Sequence, residues 1–277
     1  MSTLLVATDF GPSADAAVRT ADAWASERGD ELVVLHCAPV CRDAIAQQEV
    51  IREASDAVQA SVAELTGRGV RDFRMVIEAG RPHVEIVRLA ESIGASMIFV
   101  GARGSAGIAR ALVGHSAEKI ARYAHCDVMM VRPLRRSGKI LVATDLSNSA
   151  DAAVRAAAQL SRERDMSLTA LRVIEDAVPL PPNMGMVPAG SPMLADLIEQ
   201  EALVELRANM TRLGGHATSM VTWGPVPEAI VAAASALPAE LVVVGSVGRT
   251  GLARVVLGNT AETVLAQLPC SVWIVRS

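Results

Sequence analysis

Two aspartates of this chain are well placed for ligand chemistry. Asp9 and Asp145 each end a Leu-Val-Ala-Thr-Asp run, and both runs have the length and composition of a buried strand. A carboxylate at the end of such a strand either accepts hydrogen bonds from a ribose or an adenine amine, or caps the helix that starts nearby. The sequence leaves both interpretations open.

Glycines recur at the spacing G-x2-G-x9-G, once in each half of the chain. Glycine admits positive φ and lets backbone N–H groups approach an anion, and the N-terminal end of a helix attracts negative charge. Phosphate is therefore the expected ligand. The alternative is that the glycines only form a tight turn and that Ser116 and Thr260 are ordinary N-caps. The glycines are Gly101, Gly104 and Gly114 in the first half, and Gly245, Gly248 and Gly258 in the second.

Several other chemistries are disfavoured. The turn after the first strand lacks G-x-G-x-x-G, and no G-x4-G-K-[ST] occurs, which argues against typical NAD enzymes and P-loop NTPases. No paired carboxylates stand beside the glycine loops, no zinc-ligand set accompanies Cys37 and Cys41, and no catalytic triad is supported. We therefore predict no catalytic residues and no metal site, and we expect the four cysteines to be reduced thiols.

The candidate residues follow short apolar runs that alternate with amphipathic stretches. This alternation predicts βαβ units and two tandem, doubly wound α/β domains, each a five-stranded, mostly parallel, Rossmann-like sheet with helices on both faces. In the first copy the predicted strands are Leu4–Thr8, Glu31–His36, Arg74–Ala79, Met97–Val100 and Val128–Val131. The predicted helices include Ser13–Arg28, Val84–Ile93, Ser116–Tyr123 and a longer one with an apolar stripe formed by Ile51, Ala54, Val58, Val62 and Leu65.

The second half of the chain repeats the first. Leu5–Asp9 recurs 136 residues later, whereas the run that begins at Cys126 recurs 144 residues later. An insertion in the second copy explains the change, and the Pro-rich stretch 178–192 is the predicted place. We expect domains at 1–134 and 138–277.

Composition narrows the classes of partner. The formal charge is −4 and aromatic residues make up 3% of the chain, so nucleic-acid binding is disfavoured. Apolar runs are too short for a membrane span, and the early Asp9 and Asp15 lead us to expect no secretory leader, so a cytoplasmic location is expected. The last strand of each copy, Val128–Val131 and Val272–Val275, is apolar on both faces. We predict that these two strands cover each other in an internal pseudo-dimer, with a homodimer of chains as a further possibility; burial under a helix is the alternative.

The chain resembles a tandem universal stress protein of the UspA family, with two copies of the domain covering nearly every residue. The resemblance rests on the strand-ending aspartates, the G-x2-G-x9-G loops, the Ser/Thr-Ala-Glu at 116–118 and 260–262, and the closing Cys-x-Val-x-x-Val-Arg. It implies dimers that pair through the last strand and cytoplasmic roles in stress survival. Some members of the family bind ATP or related adenine nucleotides, and others do not.

Carried over by position, the resemblance implies roles for particular residues. Asp9 and Asp145 would face adenosine. Ribose and phosphates would meet Gly101, Gly104, Gly245 and Gly248, and the distal phosphates would meet Gly114, His115, Ser116, Gly258, Asn259 and Thr260. Arg103 adds a cation in the first loop, where the second copy has Val247.

The chain departs from the family pattern at one place in each copy. The usual Ser or Thr directly after the third glycine is replaced by His115 and Asn259, although the N–H groups of Gly114 and Gly258 are expected to remain available. We predict a stress-response regulator that binds ATP, with Mg²⁺, or else AMP or a cyclic nucleotide, and that contacts an unknown protein partner without dedicated catalysis. A nucleotide-free interaction protein is the alternative, and a slow ATPase is a weaker one.

Overall fold

The computed structural model describes residues 1–69, 72–102, 113–133, 137–175, 192–246, 257–267 and 270–276. Strands and helices alternate along these residues, which form two compact units. The chain is therefore an α/β protein with mostly parallel sheets flanked by helices, as its alternating pattern predicted. Unit 1 comprises Met1–Arg135, Ala253–Leu257 and Pro269–Ile274, and unit 2 comprises Arg136–Leu252, Gly258–Leu268 and Val275–Ser277.

The first copy of the repeat lies in unit 1 and supplies these strands and helices: β1 (Thr3–Thr8), α1 (Pro12–Arg28), β2 (Glu31–Ala38), α2 (Ala44–Thr66), β3 (Arg74–Ala79), α3 (Pro82–Ser92), β4 (Met97–Gly101), α4 (His115–Tyr123) and β5 (Asp127–Val131). The strands pair in parallel in the order β3-β2-β1-β4-β5. Leu4 of β1 lies opposite Leu32 of β2 on one side and Met97 of β4 on the other. The strand order therefore reverses at β1, and ligands of such sheets bind beyond the carboxyl ends of the strands at this point.

Unit 2 repeats this order of strands and helices from the first strand to the last helix. Within its described residues it contains β6 (Lys139–Ala143), α5 (Asn148–Glu163), β7 (Ser167–Ile174), α6 (Pro192–Arg212), β8 (Thr218–Trp223), α7 (Val226–Ala236), β9 (Leu241–Gly245) and α8 (Asn259–Gln267). These strands pair in parallel in the order β8-β7-β6-β9. All of the predicted insertion 178–192 except Pro192 lies outside the described residues.

Strand β10 (Ser271–Val275) comes from the end of the chain, but its residues up to Ile274 belong to unit 1. It pairs with β5 in the antiparallel sense, with Trp273 opposite Met129. The Trp273 ring packs edge-on against Trp24, with 5.2 Å between ring centroids, and its Nε1 donates a hydrogen bond of 3.0 Å to the Asp127 carboxylate. Trp24 also packs edge-on against Phe99 at 5.5 Å. The apolar β5 therefore has a strand neighbour on this side, as its composition predicted.

The core of unit 1 is built from aliphatic strands covered by helices that carry small residues. Leu5, Val33 and Ile98 are fully buried, as expected for parallel strands with both faces covered. On α2 the predicted stripe is buried at Ala54, Val58 and Val62. Ile51 is 36% exposed, so the stripe is shorter than its spacing indicated. None of the helices in the described ranges is long and apolar enough to cross a membrane.

Candidate functional site

A strained turn follows β1 at the point where the strand order reverses. Phe10 adopts a left-handed conformation with φ 61°, which is uncommon for a residue with a side chain. The two preceding side chains hold it there. Thr8 Oγ1 accepts a hydrogen bond from the Phe10 N–H at 3.1 Å, and Asp9 Oδ1 accepts one from the Gly11 N–H at 3.0 Å. The Thr-Asp pair that ends the strand thus fixes the turn.

The second copy repeats this turn atom for atom. Leu146 has φ 63°, Thr144 Oγ1 accepts a hydrogen bond from the Leu146 N–H at 3.0 Å, and Asp145 Oδ1 accepts one from the Ser147 N–H at 3.0 Å. Strain of this kind costs about 1–3 kcal/mol and concentrates at functional sites. The left-handed residue was not among the features predicted from the sequence, although the repeated Thr-Asp pair was the signal that could have indicated it.

The first helix of each copy, α1 or α5, is not capped by these aspartates. The N-cap of α1 is Gly11, which has no side chain, and the N-cap of α5 is Ser147, whose hydroxyl accepts a hydrogen bond from the Ala150 N–H. The capping interpretation of Asp9 and Asp145 was therefore wrong. Both carboxylates lie two residues before the N-cap and accept a hydrogen bond from its backbone N–H, which holds the loop in place.

The start of α4 differs from two expectations. Its N-cap is Gly114, which makes no side-chain capping bond, so Ser116 is not an N-cap. The Gly114 N–H is not available either, because it donates to the Ala102 carbonyl at 2.8 Å; in the second copy the Gly258 N–H donates to the Ser246 carbonyl at 2.8 Å. These two bonds tie the end of each glycine loop to its start, a closure that spacing alone does not reveal.

The backbone N–H groups that remain at this helix end come from the first turn of α4. The first helical bond joins the Glu118 N–H to the Gly114 carbonyl at 3.1 Å. In the part of the chain that the structure describes, the N–H groups of His115, Ser116 and Ala117 donate to no protein acceptor, as is usual for the first turn of a helix. Together with the helix dipole, they form a site that favours an anion.

Gly101 is required by packing. A Cβ at this position would lie 2.6 Å from the backbone carbon of Ser13 and 2.7 Å from the backbone nitrogen of Ala14. The end of β4 therefore approaches the first turn of α1 too closely for any side chain. This close approach is enough to explain why the residue is glycine, and no ligand is needed for the explanation.

A cavity of about 240 Å³ opens beyond the carboxyl ends of β1 and β4. Its volume is somewhat below the roughly 300–1,000 Å³ of typical small-molecule sites. It brings together five of the predicted site residues: Asp9, Gly101, Gly114, His115 and Ser116. The rest of its wall is mostly apolar and comes from strands and helices around the opening: Ala7, Thr8, Ala14, Leu35, Cys37, Pro82, Ile86, Val100, Ala117 and Ile120.

The other predicted site residues divide into two groups. Arg103, Gly104 and Gly248 lie outside the described residues. The second-copy residues take the matching places in unit 2: Asp145 follows β6, Gly245 ends β9, Gly258 precedes α8, and Asn259 and Thr260 begin that helix.

Cys37, expected from the sequence to be only a reduced thiol, lies in the wall of the cavity. Burial, followed by the charges of Glu85 and Glu78, raises the pKa of this thiol to about 12. The thiol therefore stays protonated near neutral pH and presents a small apolar surface. Both carboxylates bind Arg88, at 2.7 Å from Glu85 and 3.0 Å from Glu78. Over the described residues, no group of His, Cys, Asp and Glu side chains could hold a metal ion.

Comparisons with known proteins agree with this architecture. The model of the universal stress protein family matches residues 1–132 and again 137–276. A universal stress protein of Mycolicibacterium smegmatis is 26% identical over 298 residues, covering 99% of this chain and 96% of that protein. Universal stress protein MJ0531 of Methanocaldococcus jannaschii is 30% identical over 142 residues, covering 50% of this chain and 81% of that protein.

A solved structure shows the same fold over the whole length. The crystal structure of a universal stress protein from Archaeoglobus fulgidus has a TM-score of 0.69 and 20% identity, and the match covers 99% of this chain and 96% of that one. The resemblance noted from the residues is thereby confirmed, and the chain belongs to the universal stress protein family, with two family domains in tandem.

Proposed function

We propose that this protein is a stress-response regulator that binds an adenine nucleotide, ATP in the first instance, in the cavity of its first domain and acts without turnover. The cavity carries this proposal, because it combines an apolar wall, a carboxylate and a helix N-terminus around one opening. The apolar wall suits a flat base, and the carboxylate suits a ribose hydroxyl or an amine. The helix N-terminus suits phosphate.

The apolar wall is the part that fits a base. Leu35, Val100, Ile86 and Ile120 line the cavity from two strands and two helices. Asp9 stands at the edge of this wall, held in place by the bond from Gly11. A fixed carboxylate beside an apolar slot can accept hydrogen bonds from an adenine amine or ribose hydroxyl with little loss of side-chain entropy.

The phosphates are proposed to meet the first turn of α4. His115, Ser116 and Ala117 line the cavity at the N-terminal end of α4, where the backbone N–H groups point out of the helix. The hydroxyl of Ser116 lies one residue after the position at which the family usually has a hydroxyl. Mg²⁺ would arrive with ATP, coordinated by phosphate oxygens and water. The corresponding residues of the second domain, from Asp145 to Thr260, are proposed to form a second site of unequal affinity.

The first experiment identifies any nucleotide that is purified with the protein. The full chain is denatured, and the released small molecules are counted per chain by chromatography and mass spectrometry. Nucleotide-free protein is then titrated with ATP while its melting is followed, since a ligand at 100 times its Kd adds about 2.7 kcal/mol to the folded state.

A matched pair of substitutions assigns the site. Cys37→Phe places a ring in the first cavity, and Val173→Phe places the same ring at the corresponding position of β7. We expect Cys37→Phe to remove one bound nucleotide per chain and Val173→Phe to leave the first-domain site intact. Circular dichroism checks that both variants fold.

Two results would overturn the proposal. Absence of released nucleotide together with no thermal shift in millimolar ATP would favour a nucleotide-free interaction protein. Phosphate release that is well above background and is lost in Cys37→Phe would show an ATPase.

The proposal also includes assembly: an internal pseudo-dimer of the two domains, a homodimer of chains and a protein partner. Light scattering with and without ATP tests the homodimer.

A further inference from the structure

Four cationic or titratable side chains gather where α3 and α4 begin. Arg81 and His83 flank the first residue of α3, and His115 and Lys119 lie on α4. The other three lie close enough to His83 to affect its titration. Burial, and then the charges of Lys119, Arg81 and His115, lower the pKa of His83 below its ordinary value.

These four side chains are not neutralised by protein carboxylates. Among the described residues, none of the four forms a hydrogen bond or an ion pair. Other cations on the same two helices are paired: Arg88 with Glu85 at 2.7 Å, and Arg122 with Glu118 at 3.2 Å. Arg81 and Lys119 therefore present positive charge that no carboxylate of the described residues offsets, and such charge attracts a bound anion.

The cluster lies on the phosphate side of the proposed site. Pro82 and His115 both line the cavity, so the starts of α3 and α4 border its opening. Lys119 is one turn beyond His115, and residues four apart share a helix face. Because helical side chains lean towards the N-terminus, the Lys119 ammonium is directed back towards the first turn of α4.

The second domain has none of these charges. Its corresponding residues are Pro225, Pro227, Asn259 and Thr263. The helices they belong to, α7 and α8, form without them. The fold therefore does not require the cationic cluster, and its presence in one copy alone points to a difference in ligand.

We propose that Arg81, His83, His115 and Lys119 make the first-domain site selective for a polyphosphate, so that it binds ATP in preference to AMP and cAMP. This inference rests on the proposed nucleotide function. The triphosphate of ATP carries more negative charge than the phosphate of AMP or the diester of cAMP, and each added charge gains from a cation within a Debye length. The second domain, lacking the cluster, does not make this distinction.

The test measures the ratio of ATP affinity to AMP affinity by calorimetry, without Mg²⁺ and at low salt. The full chain carries Val173→Phe, so that only the first-domain site is titrated. Lys119→Thr introduces the residue of the second domain, and Lys139→Thr removes the other lysine of the chain, at the start of β6. We expect a ratio of about 10 or more, a reduction of about fivefold in Lys119→Thr, and no change in Lys139→Thr.

Each outcome bears on the inference. Equal affinity for ATP and AMP, or the same ratio in both lysine variants, overturns polyphosphate selectivity while leaving nucleotide binding in place. Absence of binding by any of ATP, AMP and cAMP overturns the proposed function and the inference with it. A ratio that falls towards 1 as salt is raised supports the electrostatic origin.

Discussion

Replacing Gly101 with alanine tests whether the first glycine of the loop motif serves packing. The added Cβ would meet the Ser13 backbone carbon at 2.6 Å and the Ala14 backbone nitrogen at 2.7 Å. Carbon atoms in contact normally stand about 3.5–4.0 Å apart. Relief therefore requires the first turn of α1 to move by about 1 Å, because both partners are main-chain atoms and neither can rotate away.

The expected cost follows from this overlap. Overpacking of a well-ordered core costs about 1–3 kcal/mol, and we expect Gly101→Ala to lower the free energy of unfolding by about 2 kcal/mol. Gly29→Ala is a useful comparison, because Gly29 has φ 68° and a Cβ there would meet nothing within 4 Å. Its cost is that of left-handed backbone alone, about 1 kcal/mol.

Calorimetry of the nucleotide-free variants measures the difference. For a unit of this size, about 2 kcal/mol corresponds to a Tm lower by roughly 6–8 °C for Gly101→Ala, against roughly half of that for Gly29→Ala. A Gly101→Ala protein as stable as the wild type, or less affected than Gly29→Ala, would refute the packing argument. The role of this glycine would then have to be sought in the ligand.

Three further predictions concern single groups. Asp151→Ala should cost about 3 kcal/mol by urea unfolding, because the buried carboxylate accepts hydrogen bonds from Arg212 at 2.6 Å and Asn209 at 3.2 Å. Burial raises the pKa of Asp151, but the hydrogen bonds from Arg212 and Asn209 outweigh it, so the pKa is lowered in the folded protein. The contribution of Asp151 to stability is therefore fully present above the pKa of the unfolded state and is lost as pH falls through the pKa of the folded state. ATP affinity should rise about fivefold from pH 8 to pH 6, because bound phosphate is expected to raise the pKa of His83, so that the complex takes up protons. The proton uptake is measured as a binding enthalpy that depends on the buffer. Native Cys37 should resist iodoacetamide at pH 8, where a pKa of about 12 leaves almost no thiolate, and should react in urea, as peptide mass spectrometry would show.

Local patterns in the sequence were sufficient for the strands and helices. The predicted strand Arg74–Ala79 coincides with β3, and the others agree to within two residues, because each apolar run is long enough to be buried and is bounded by loop residues. The repeat made these predictions stronger, since two independent stretches gave the same order. Ile51 shows the limit, because spacing indicates a face without showing how far the sheet beneath it extends.

The site was less predictable, because its geometry depends on contacts between distant residues. The Asp9 position and the α4 helix end could be inferred from motif spacing. The bond from the Gly114 N–H to Ala102, the close approach of Gly101 to α1, and the cavity wall at Cys37 and Pro82 could not. Left-handed Phe10 is an intermediate case: the repeated Thr-Asp pair was a signal for it, but only the folded turn shows that these two side chains accept hydrogen bonds from Phe10 and Gly11.

The packing of Trp273 on Trp24 constrains the order in which unit 1 folds during translation. Trp24 leaves the ribosome early, and its edge-on partner is synthesised almost 250 residues later. Until then β5 lacks its antiparallel neighbour, and Trp24 lacks its edge-on contact with Trp273. The nascent first domain must therefore persist in an incomplete form through synthesis of the whole second copy, a period in which chaperones would have access to an exposed strand edge.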